Sequence, residues 1–256
     1  MNTNRWVEFN DKLVDAYRHG GAGPIRFELV THAIAQHVSG AGRVLDIGGG
    51  YGVQAIYLAR AGHEVIVLDL DERMISIAEN KIAEEPYEVR QRIDLVLGDG
   101  AKATQLLGGG FDLVCCHSVL MYLQDPQPLL TAAAGSCRPG GLVSVLSINH
   151  ESIAMRSALQ RRWSEAALTL RAGIDHDTTS LPTFDHSRIA VEKMLSRCEV
   201  VPRTWYGVGV FTDHLTEIRE SEDLGAMCAA EWYAGMQDPY RQVARCYHLI
   251  GERTLE

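Results

Sequence analysis

The sequence predicts an α/β fold in which a mostly parallel sheet carries helices on both faces. Two observations lead to this prediction. Short apolar runs alternate with segments of helical periodicity between residues 43 and 148, and parallel strands require such crossover helices. The runs are continuously apolar, as expected of strands buried on both faces. A length of 256 residues suits one large domain, so we predict a single doubly wound domain over residues 1–256.

The first 38 residues are predicted to form two helices around a glycine-rich break. The first helix carries an apolar face that begins at Trp6, and the segment H-G-G-A-G-P at 19–24 interrupts it. The second helix is predicted from Ile25 to Val38, and Arg26 opens it. A break of this kind suits a hinge at which the chain closes over a ligand. We therefore interpret residues 1–38 as an N-terminal helical lid.

Seven apolar runs in the rest of the chain are predicted to be strands. Residues 149–188 do not follow the alternation, because they combine two short amphipathic pieces with a polar loop. We predict that they form a helical insertion above the sheet edge. The predicted elements are strand 43–47, helix 52–61, strand 64–69, helix 71–85, strand 93–97, strand 111–116, helix 126–137, strand 142–148, helix 186–197, strand 199–211, helix 213–236 and strand 244–251.

Composition limits the classes of function. The net charge of −9 disfavours a broad surface that follows a phosphate backbone, although a local basic patch is compatible with it. The six cysteines form no C-x-x-C pair, which predicts free thiols in a reducing cytosol. No apolar stretch approaches the ~20 residues of a membrane span, and the first residues lack a signal-peptide core. We predict a cytoplasmic protein with no membrane partner.

The most informative stretch is R-V-L-D-I-G-G-G-Y-G at 43–52, a strand that ends in a glycine-rich turn. Such a turn alone suits a dinucleotide, a phosphate or no ligand at all. Asp46 precedes the glycines, and an acid there would repel a pyrophosphate but attract an ammonium group. Asp69 closes the next strand, and its carboxylate can accept hydrogen bonds from both hydroxyls of a ribose. S-adenosylmethionine has a ribose, a cationic amino-acid end and no phosphate, so it matches both acids.

Other catalytic patterns are not found in the sequence. The chain has no Ser-His-Asp order, no H-E-x-x-H motif and no zinc-ligand spacing. We therefore expect no bound metal.

The glycine-rich stretch resembles motif I of the class I S-adenosylmethionine-dependent methyltransferases. Further patches resemble the bacterial tRNA 5-carboxymethoxyuridine methyltransferase family. This resemblance implies a Rossmann-like sheet of seven strands with an antiparallel last strand. The matching patches are the glycine-rich break before Arg26, V-L-D-I-G-G-G-Y-G-V-Q-A-I from Val44 to Ile56, G-H-E-V from Gly62, H-S-V-L-M-Y from His117 to Tyr122, the R-P-G-G turn at 138–141, and G-V-G-V-F-T-D-H-L from Gly207 to Leu215.

The resemblance implies that S-adenosylmethionine binds at the carboxyl ends of the parallel strands. The glycine-rich turn would lie against its methionine part, Asp69 would hold the ribose, and Leu70 and Met74 would flank the adenine. Arg26 and His117 would contact the cofactor as well. The predicted cofactor-binding residues are Arg26, Asp46, Gly48, Gly49, Gly50, Asp69, Leu70, Met74, Asp99, Gly100, Ala101 and His117.

The acceptor pocket is predicted above this cofactor site. A carboxylate acceptor needs no general base, whereas a hydroxyl or amine acceptor can need one, and His117 and His214 are the candidates for that catalytic role. The insertion at 149–188 would form part of the acceptor cap. The predicted substrate-binding residues are Tyr122, Tyr206, Phe211 and His214.

Two departures from the tRNA-modifying family guide the choice of acceptor. The family has an arginine where this chain has Gly209, and an arginine would bind a carboxylate. The family also carries a lysine-rich loop where this chain has the net acidic segment 171–178. We therefore predict a small-molecule acceptor, such as a secondary metabolite, over tRNA wobble 5-carboxymethoxyuridine. A non-catalytic S-adenosylmethionine-binding protein is the third alternative.

Overall fold

The computed structural model describes residues 23–173, 183–184, 186–219 and 221–254. Residues 1–22, which form most of the predicted lid, lie outside this range. Most of the polar loop predicted within the insertion and part of its acidic segment also lie outside it.

One seven-stranded sheet forms the centre of the fold. Its strands are β1 (Arg43–Ile47), β2 (Glu64–Asp69), β3 (Ile93–Leu97), β4 (Phe111–His117), β5 (Cys137–Ile148), β6 (Val200–Val208) and β7 (Cys246–Arg253). Across the sheet the order is β3-β2-β1-β4-β5-β7-β6. The last strand, β7, lies between β5 and β6 and runs antiparallel to both, whereas the pairs from β3 to β5 are parallel. The doubly wound, mostly parallel sheet with an antiparallel last strand is confirmed.

Helices cover both faces of this sheet. They are α1 (Gly23–Ala35), α2 (Val53–Arg60), α3 (Glu72–Ala83), α4 (Tyr87–Arg90), α5 (Ala103–Leu107), α6 (Gln127–Ser136), α7 (Met155–Leu159), α8 (Trp163–Ala172), α9 (Arg188–Ser196) and α10 (Leu224–Gly235). The short helices α4 and α5 were not predicted, because four or five residues show no helical period. Within the described ranges, no helix combines the length and the apolar character needed to cross a membrane.

Two apolar layers, one on each face of the sheet, hold these helices. On one face, α1 buries Ile25 and Leu29 in a cluster that also contains Ile56 of α2. On the other face, Leu130 of α6 and Val191 of α9 pack in a second cluster. The described part of the predicted lid, α1, is therefore a core helix, and a lid over residues 1–38 stays a prediction.

The predicted helix at 213–236 is wrong in its first half, since α10 begins only at Leu224. The side chain of Asp223 caps this helix by accepting a hydrogen bond from the Ala226 amide at 3.1 Å. The preceding strand also ends earlier than predicted, because Gly209 turns the chain with a φ angle of 76°.

A buried carboxylate holds the chain at 210–212, just before the segment that was predicted to be helical. Glu231 of α10 is fully buried. Its oxygens accept hydrogen bonds from the backbone amides of Val210, Phe211 and Thr212 at 2.8, 2.9 and 2.7 Å. The Thr212 hydroxyl adds a fourth at 2.6 Å. These contacts link residues far apart in sequence, so helical periodicity gave no sign of them.

The predicted turn at 138–141 lies inside β5 as an irregularity. Pairing between β4 and β5 shifts from Phe111 with Cys137 to Leu113 with Leu142. The four residues 138–141 of β5 therefore lie opposite a single residue of β4.

The strand order reverses between β1 and β4, which are neighbours in the sheet although two strands separate them in the chain. In open α/β sheets, a ligand crevice opens at the carboxyl ends of the strands at such a switch point. We therefore expect the ligand crevice to be lined by the residues that follow Ile47 and His117.

We predict that Glu231→Gln lowers the free energy of unfolding by about 2–4 kcal/mol, because an amide nitrogen replaces an oxygen that accepts buried hydrogen bonds. Urea denaturation measures this change. Glu79→Gln removes an exposed carboxylate and serves as the matched control, with an expected change within about 0.5 kcal/mol. Equal stability of the two variants would contradict the anchoring role of Glu231.

Candidate active site

The turn after β1 depends on glycine for its shape. Gly48 has a φ angle of 67°, and its amide donates to the Leu68 carbonyl at 2.7 Å. A Cβ at Gly48 would lie 2.4 Å from a methyl carbon of Val119, and a Cβ at Gly49 would lie 2.6 Å from a carboxylate oxygen of Asp46. Side chains at Gly48 and Gly49 would collide with packed atoms, so packing requires glycine there, whereas the Cβ position at Gly50 is open.

The Asp69 carboxylate joins the ends of β1 and β2. Its Oδ2 accepts from the Gly50 amide at 2.8 Å, and its Oδ1 accepts from the Asp71 amide at 2.9 Å. These bonds fix the orientation of the carboxylate, and each oxygen keeps a second lone pair for a ligand hydroxyl. Burial raises the pKa of Asp69 above its usual value.

Asp46 lies beneath the glycine turn and is almost completely buried, with 1% of its surface exposed. Burial and, second, the charge of Asp69 raise its pKa to about 7. Its Oδ2 has no hydrogen-bond partner among the described residues. A nearby cationic donor would stabilise the ionised form of such a buried carboxylate.

The two residues predicted beside adenine lie in different surroundings. Leu70 follows β2 and is 72% exposed, so its side chain is available to a ligand. Met74 of α3 is buried and packs with Tyr51.

The segment predicted to contact the adenine edge closes the end of β3. The Asp99 carboxylate accepts from the Ala101 amide at 3.0 Å and caps a short 3₁₀ turn. A Cβ at Gly100 would lie 2.4 Å from a methyl carbon of Ile47. The glycine at this position therefore allows the turn to pack against β1.

His117 ends β4 on the other side of the switch point. It is 9% exposed, and its Nε2 lies 2.8 Å from the Ser144 hydroxyl. The next residue, Ser118, has a φ angle of 59°, which is unusual for a residue with a side chain. Its hydroxyl accepts a hydrogen bond from Arg26 at 2.9 Å. The structure thus brings the Arg26 guanidinium of α1 to the end of β4, and its contact with a cofactor stays a prediction.

Tyr206 and Phe211, two of the predicted substrate-binding residues, contact different partners. The Tyr206 hydroxyl lies 2.8 Å from Nε2 of His37, and its ring stacks on Trp232 with centroids 5.1 Å apart. Phe211 is 45% exposed and meets the ring of Tyr240 edge-on.

His214 and Tyr122 both lie near the predicted cap. The His214 carbonyl accepts a hydrogen bond from Gln160 at 3.0 Å. Tyr122 belongs to a short turn whose Met121 carbonyl accepts from the Phe184 amide at 2.7 Å. No hydrogen bond joins His214 to His117, the two candidate bases, within the described part of the chain.

Three polar groups at the switch point lie close enough to be considered as metal ligands. One atom each of Asp46, Cys115 and His117 lies within 4.8 Å of the other two. Burial raises the pKa of the Cys115 thiol well above its usual value, and a metal requires the thiolate. Because His117 also uses Nε2 for Ser144, we assign no metal to this cluster.

The sequence analysis missed several polar residues near the site. Ser144 and His248 extend the hydrogen bonds of His117 across the sheet, and Ser118 holds Arg26. Only the strand register could have revealed them, since each partner comes from a different element.

Comparison with known proteins agrees with this geometry. A family model described as a methyltransferase domain matches residues 45–145. The chain is 28% identical to the tRNA 5-carboxymethoxyuridine methyltransferase of Escherichia coli K12 over 216 residues, or 82% of this chain and 80% of the relative. It is 30% identical to the ubiquinone biosynthesis O-methyltransferase of Xanthomonas campestris pv. campestris B100 over 156 residues, and spans 61% of that relative's length.

A solved structure shares the fold. The magnesium protoporphyrin IX methyltransferase from Synechocystis PCC 6803, crystallised with bound SAH, aligns with a TM-score of 0.58 and 17% identity. The alignment covers 91% of this chain and 85% of that one. The sheet order and this likeness show that the chain has the fold of the class I methyltransferases, and the family model identifies residues 45–145 as a methyltransferase domain.

Proposed function

We propose that the chain transfers a methyl group from S-adenosylmethionine, bound at the carboxyl ends of β1, β2 and β4, to a small-molecule acceptor beneath the cap at 149–188. The observation that carries the cofactor site is the pair of acids at the switch point. Asp46 has a buried oxygen without a partner among the described residues, and Asp69 is held by two backbone amides.

The residues present fit the cofactor. An ammonium group near the glycine turn would supply the cationic donor that Asp46 lacks. Asp69 keeps lone pairs for both ribose hydroxyls. The exposed Leu70 offers an apolar surface for adenine, whereas Asp99 and Gly100 shape the end of β3.

Most of the catalytic effect expected from this chain is positioning. Bound S-adenosylmethionine supplies a methyl group made electrophilic by a sulfonium. Gly48 and Gly49 allow the ligand to approach the backbone, and Asp69 orients it. Arg26, held by Ser118 at 2.9 Å, extends the cleft wall to the end of β4. His117 lies there as the candidate base for an acceptor that must lose a proton.

Charge supports a small-molecule acceptor over tRNA. The net charge is −9, and three arginines of the cap region are already paired with carboxylates, which leaves less charge for phosphates. The pairs are Arg156 with Asp213 at 2.6 Å, Arg162 with Glu165 at 2.5 Å, and Arg188 with Glu192.

Transfer to tRNA is the second candidate function. It is supported by the relative from Escherichia coli, whose name gives tRNA 5-carboxymethoxyuridine as its acceptor and which aligns with 82% of this chain. The cytoplasmic location predicted from the cysteine pattern fits either acceptor and belongs to the same proposal.

We predict that Asp69→Ala weakens binding of S-adenosylmethionine about 10-fold to 100-fold, because hydrogen bonds to a charged group contribute about 1.5–3 kcal/mol. Titration calorimetry measures the affinity. Asp94→Ala, which removes an exposed acid from the neighbouring strand β3, is the control and should leave the affinity unchanged. An Asp69→Ala variant that binds as tightly as wild type would overturn the ribose assignment.

A second prediction concerns pH. Burial raises the pKa of folded Asp46 from the usual 3.8 to about 7, so between these pH values the folded state holds a proton that the unfolded state has lost. The free energy of unfolding should therefore fall as pH rises towards 7 and level off above it.

Asp46→Asn lacks this titration. Between pH 5 and pH 8, the stability of wild type relative to Asp46→Asn should drop by on the order of 2 kcal/mol. Urea denaturation of both proteins without cofactor at the two pH values measures the difference. A constant difference would mean that Asp46 is ionised in the folded state throughout this range.

A third prediction separates the two acceptors. With methyl-labelled S-adenosylmethionine, label should enter the small-molecule fraction of a bacterial extract and not its tRNA. This chain should bind tRNA only weakly, even at low salt. A protein that contacts several phosphates would instead bind tRNA tightly at low salt and lose affinity steeply as salt rises. Labelled tRNA together with a steep salt dependence would establish the alternative.

A further inference from the structure

Three buried polar side chains form a continuous line across the sheet from the candidate base. Nε2 of His117 on β4 lies 2.8 Å from the Ser144 hydroxyl on β5, which lies 2.7 Å from Nε2 of His248 on β7. Ser144 and His248 are fully buried, and His117 is 9% exposed. The two imidazole rings meet edge-on with centroids 5.5 Å apart.

The serine hydroxyl forces the two rings into different protonation patterns. A hydroxyl has one proton, so between two imidazole nitrogens it donates to one and accepts from the other. One histidine must therefore carry a proton on Nε2 while the Nε2 of the other is bare. Nδ1 of both rings has no hydrogen-bond partner among the described residues, so Nδ1 of His117 is left for a ligand.

Both rings are neutral at rest. Burial lowers the pKa of His117 well below its usual range, and His248 and Arg26 add to the effect. Burial likewise lowers the pKa of His248 to about 3. Other titratable groups near these residues are Asp46 and Cys115 beside His117, Tyr206, whose ring centroid lies 6.2 Å from that of His248, and His37, which also lowers the pKa of His248.

We propose that Ser144 and His248 are positioning residues that hold His117 in the tautomer needed to serve an acceptor that carries a removable proton, a hydroxyl or an amine. This inference rests on the proposed function. His117 with a protonated Nε2 donates to Ser144 and presents a bare Nδ1, which accepts the proton of the acceptor as the methyl group leaves sulfur and bonds to the acceptor's oxygen or nitrogen. Ser144 donates to Nε2 of His248, so the Nε2 proton stays on His117. The His117 imidazolium returns its extra proton to water as the products leave.

The first test does not depend on activity. Nitrogen-15 NMR of histidine-labelled protein at neutral pH should show the two buried rings as neutral imidazoles of opposite tautomer, with His248→Phe used to assign the signals. Ser144→Ala should shift both sets of signals. Ser136→Ala removes a buried hydroxyl that contacts Thr104 instead, and it should shift neither. Two rings of the same tautomer, or a His117 ring protonated on Nδ1, would overturn the positioning role.

The second test uses methyl-labelled S-adenosylmethionine and the small-molecule fraction of a bacterial extract. The label should resist mild alkali, as methyl ethers and methylamines do, whereas release of labelled methanol would reveal a carboxylate ester and overturn the acceptor class. Ser144→Ala and His248→Phe should lower the transfer rate about 100-fold, with cofactor affinity unchanged. His248→Gln should recover part of the rate because its amide oxygen can accept from Ser144.

Rates in these variants equal to wild type would also overturn the positioning role. If no label enters the extract, the proposed small-molecule function fails, and the tautomers seen by NMR decide by themselves whether Ser144 and His248 position His117.

Discussion

The contact between the turn after β1 and the chain after β4 is the constraint on which the site depends. A methyl carbon of Val119 occupies the space that a Cβ of Gly48 would need, with 2.4 Å between them. Because these segments follow neighbouring parallel strands, their approach closes one side of the crevice. His117 and Ser118 are held at the same point, and through Ser118 so is Arg26 of α1. A larger residue at Gly48 would separate all of these groups together.

Two equally buried acids differ in whether their oxygens have hydrogen-bond partners. Glu231 is fully buried, and four donors at 2.6 to 2.9 Å surround its oxygens, so its charge is balanced within the fold. Asp46 is equally buried, yet one oxygen lacks a partner among the described residues and its pKa is raised to about 7. A buried polar group left unsatisfied is costly, and a cationic ligand would remove that cost. The contrast supports a binding role for Asp46 and an anchoring role for Glu231.

The polar groups on one face of the sheet link the proposed cofactor site to its far side. Residues at matching register positions on neighbouring strands point to the same face, so His117, Leu146 and His248 share a row. Ser144 lies two residues before Leu146 on the same face. A mostly apolar sheet thus contains one hydrogen-bonded line that begins at the candidate base. Its position explains how a buried histidine can have a defined tautomer without a carboxylate partner.

Local patterns predicted the elements whose signals lie in consecutive residues. Strands at 43–47, 64–69 and 93–97 have the bounds that the sequence indicated, because continuous apolar runs are typical of doubly buried strands. The helix predicted from residue 213 begins only at Leu224, and the turn just before it, at 210–212, is held by Glu231 of the following helix. The acids and glycines of the site were also identified, since their spacing within the strand ends carries the information.

The sequence by itself therefore determined the fold class, the glycine turn and the two acids of the proposed cofactor site. The tertiary structure alone decided which of these groups are satisfied and which are not. It gave Asp69 two backbone partners, left an oxygen of Asp46 without one among the described residues, and joined His117 to Ser144 and His248. The physical reason is that hydrogen-bond partners and burial depend on strand register and on packing between distant segments, which neither composition nor periodicity encodes.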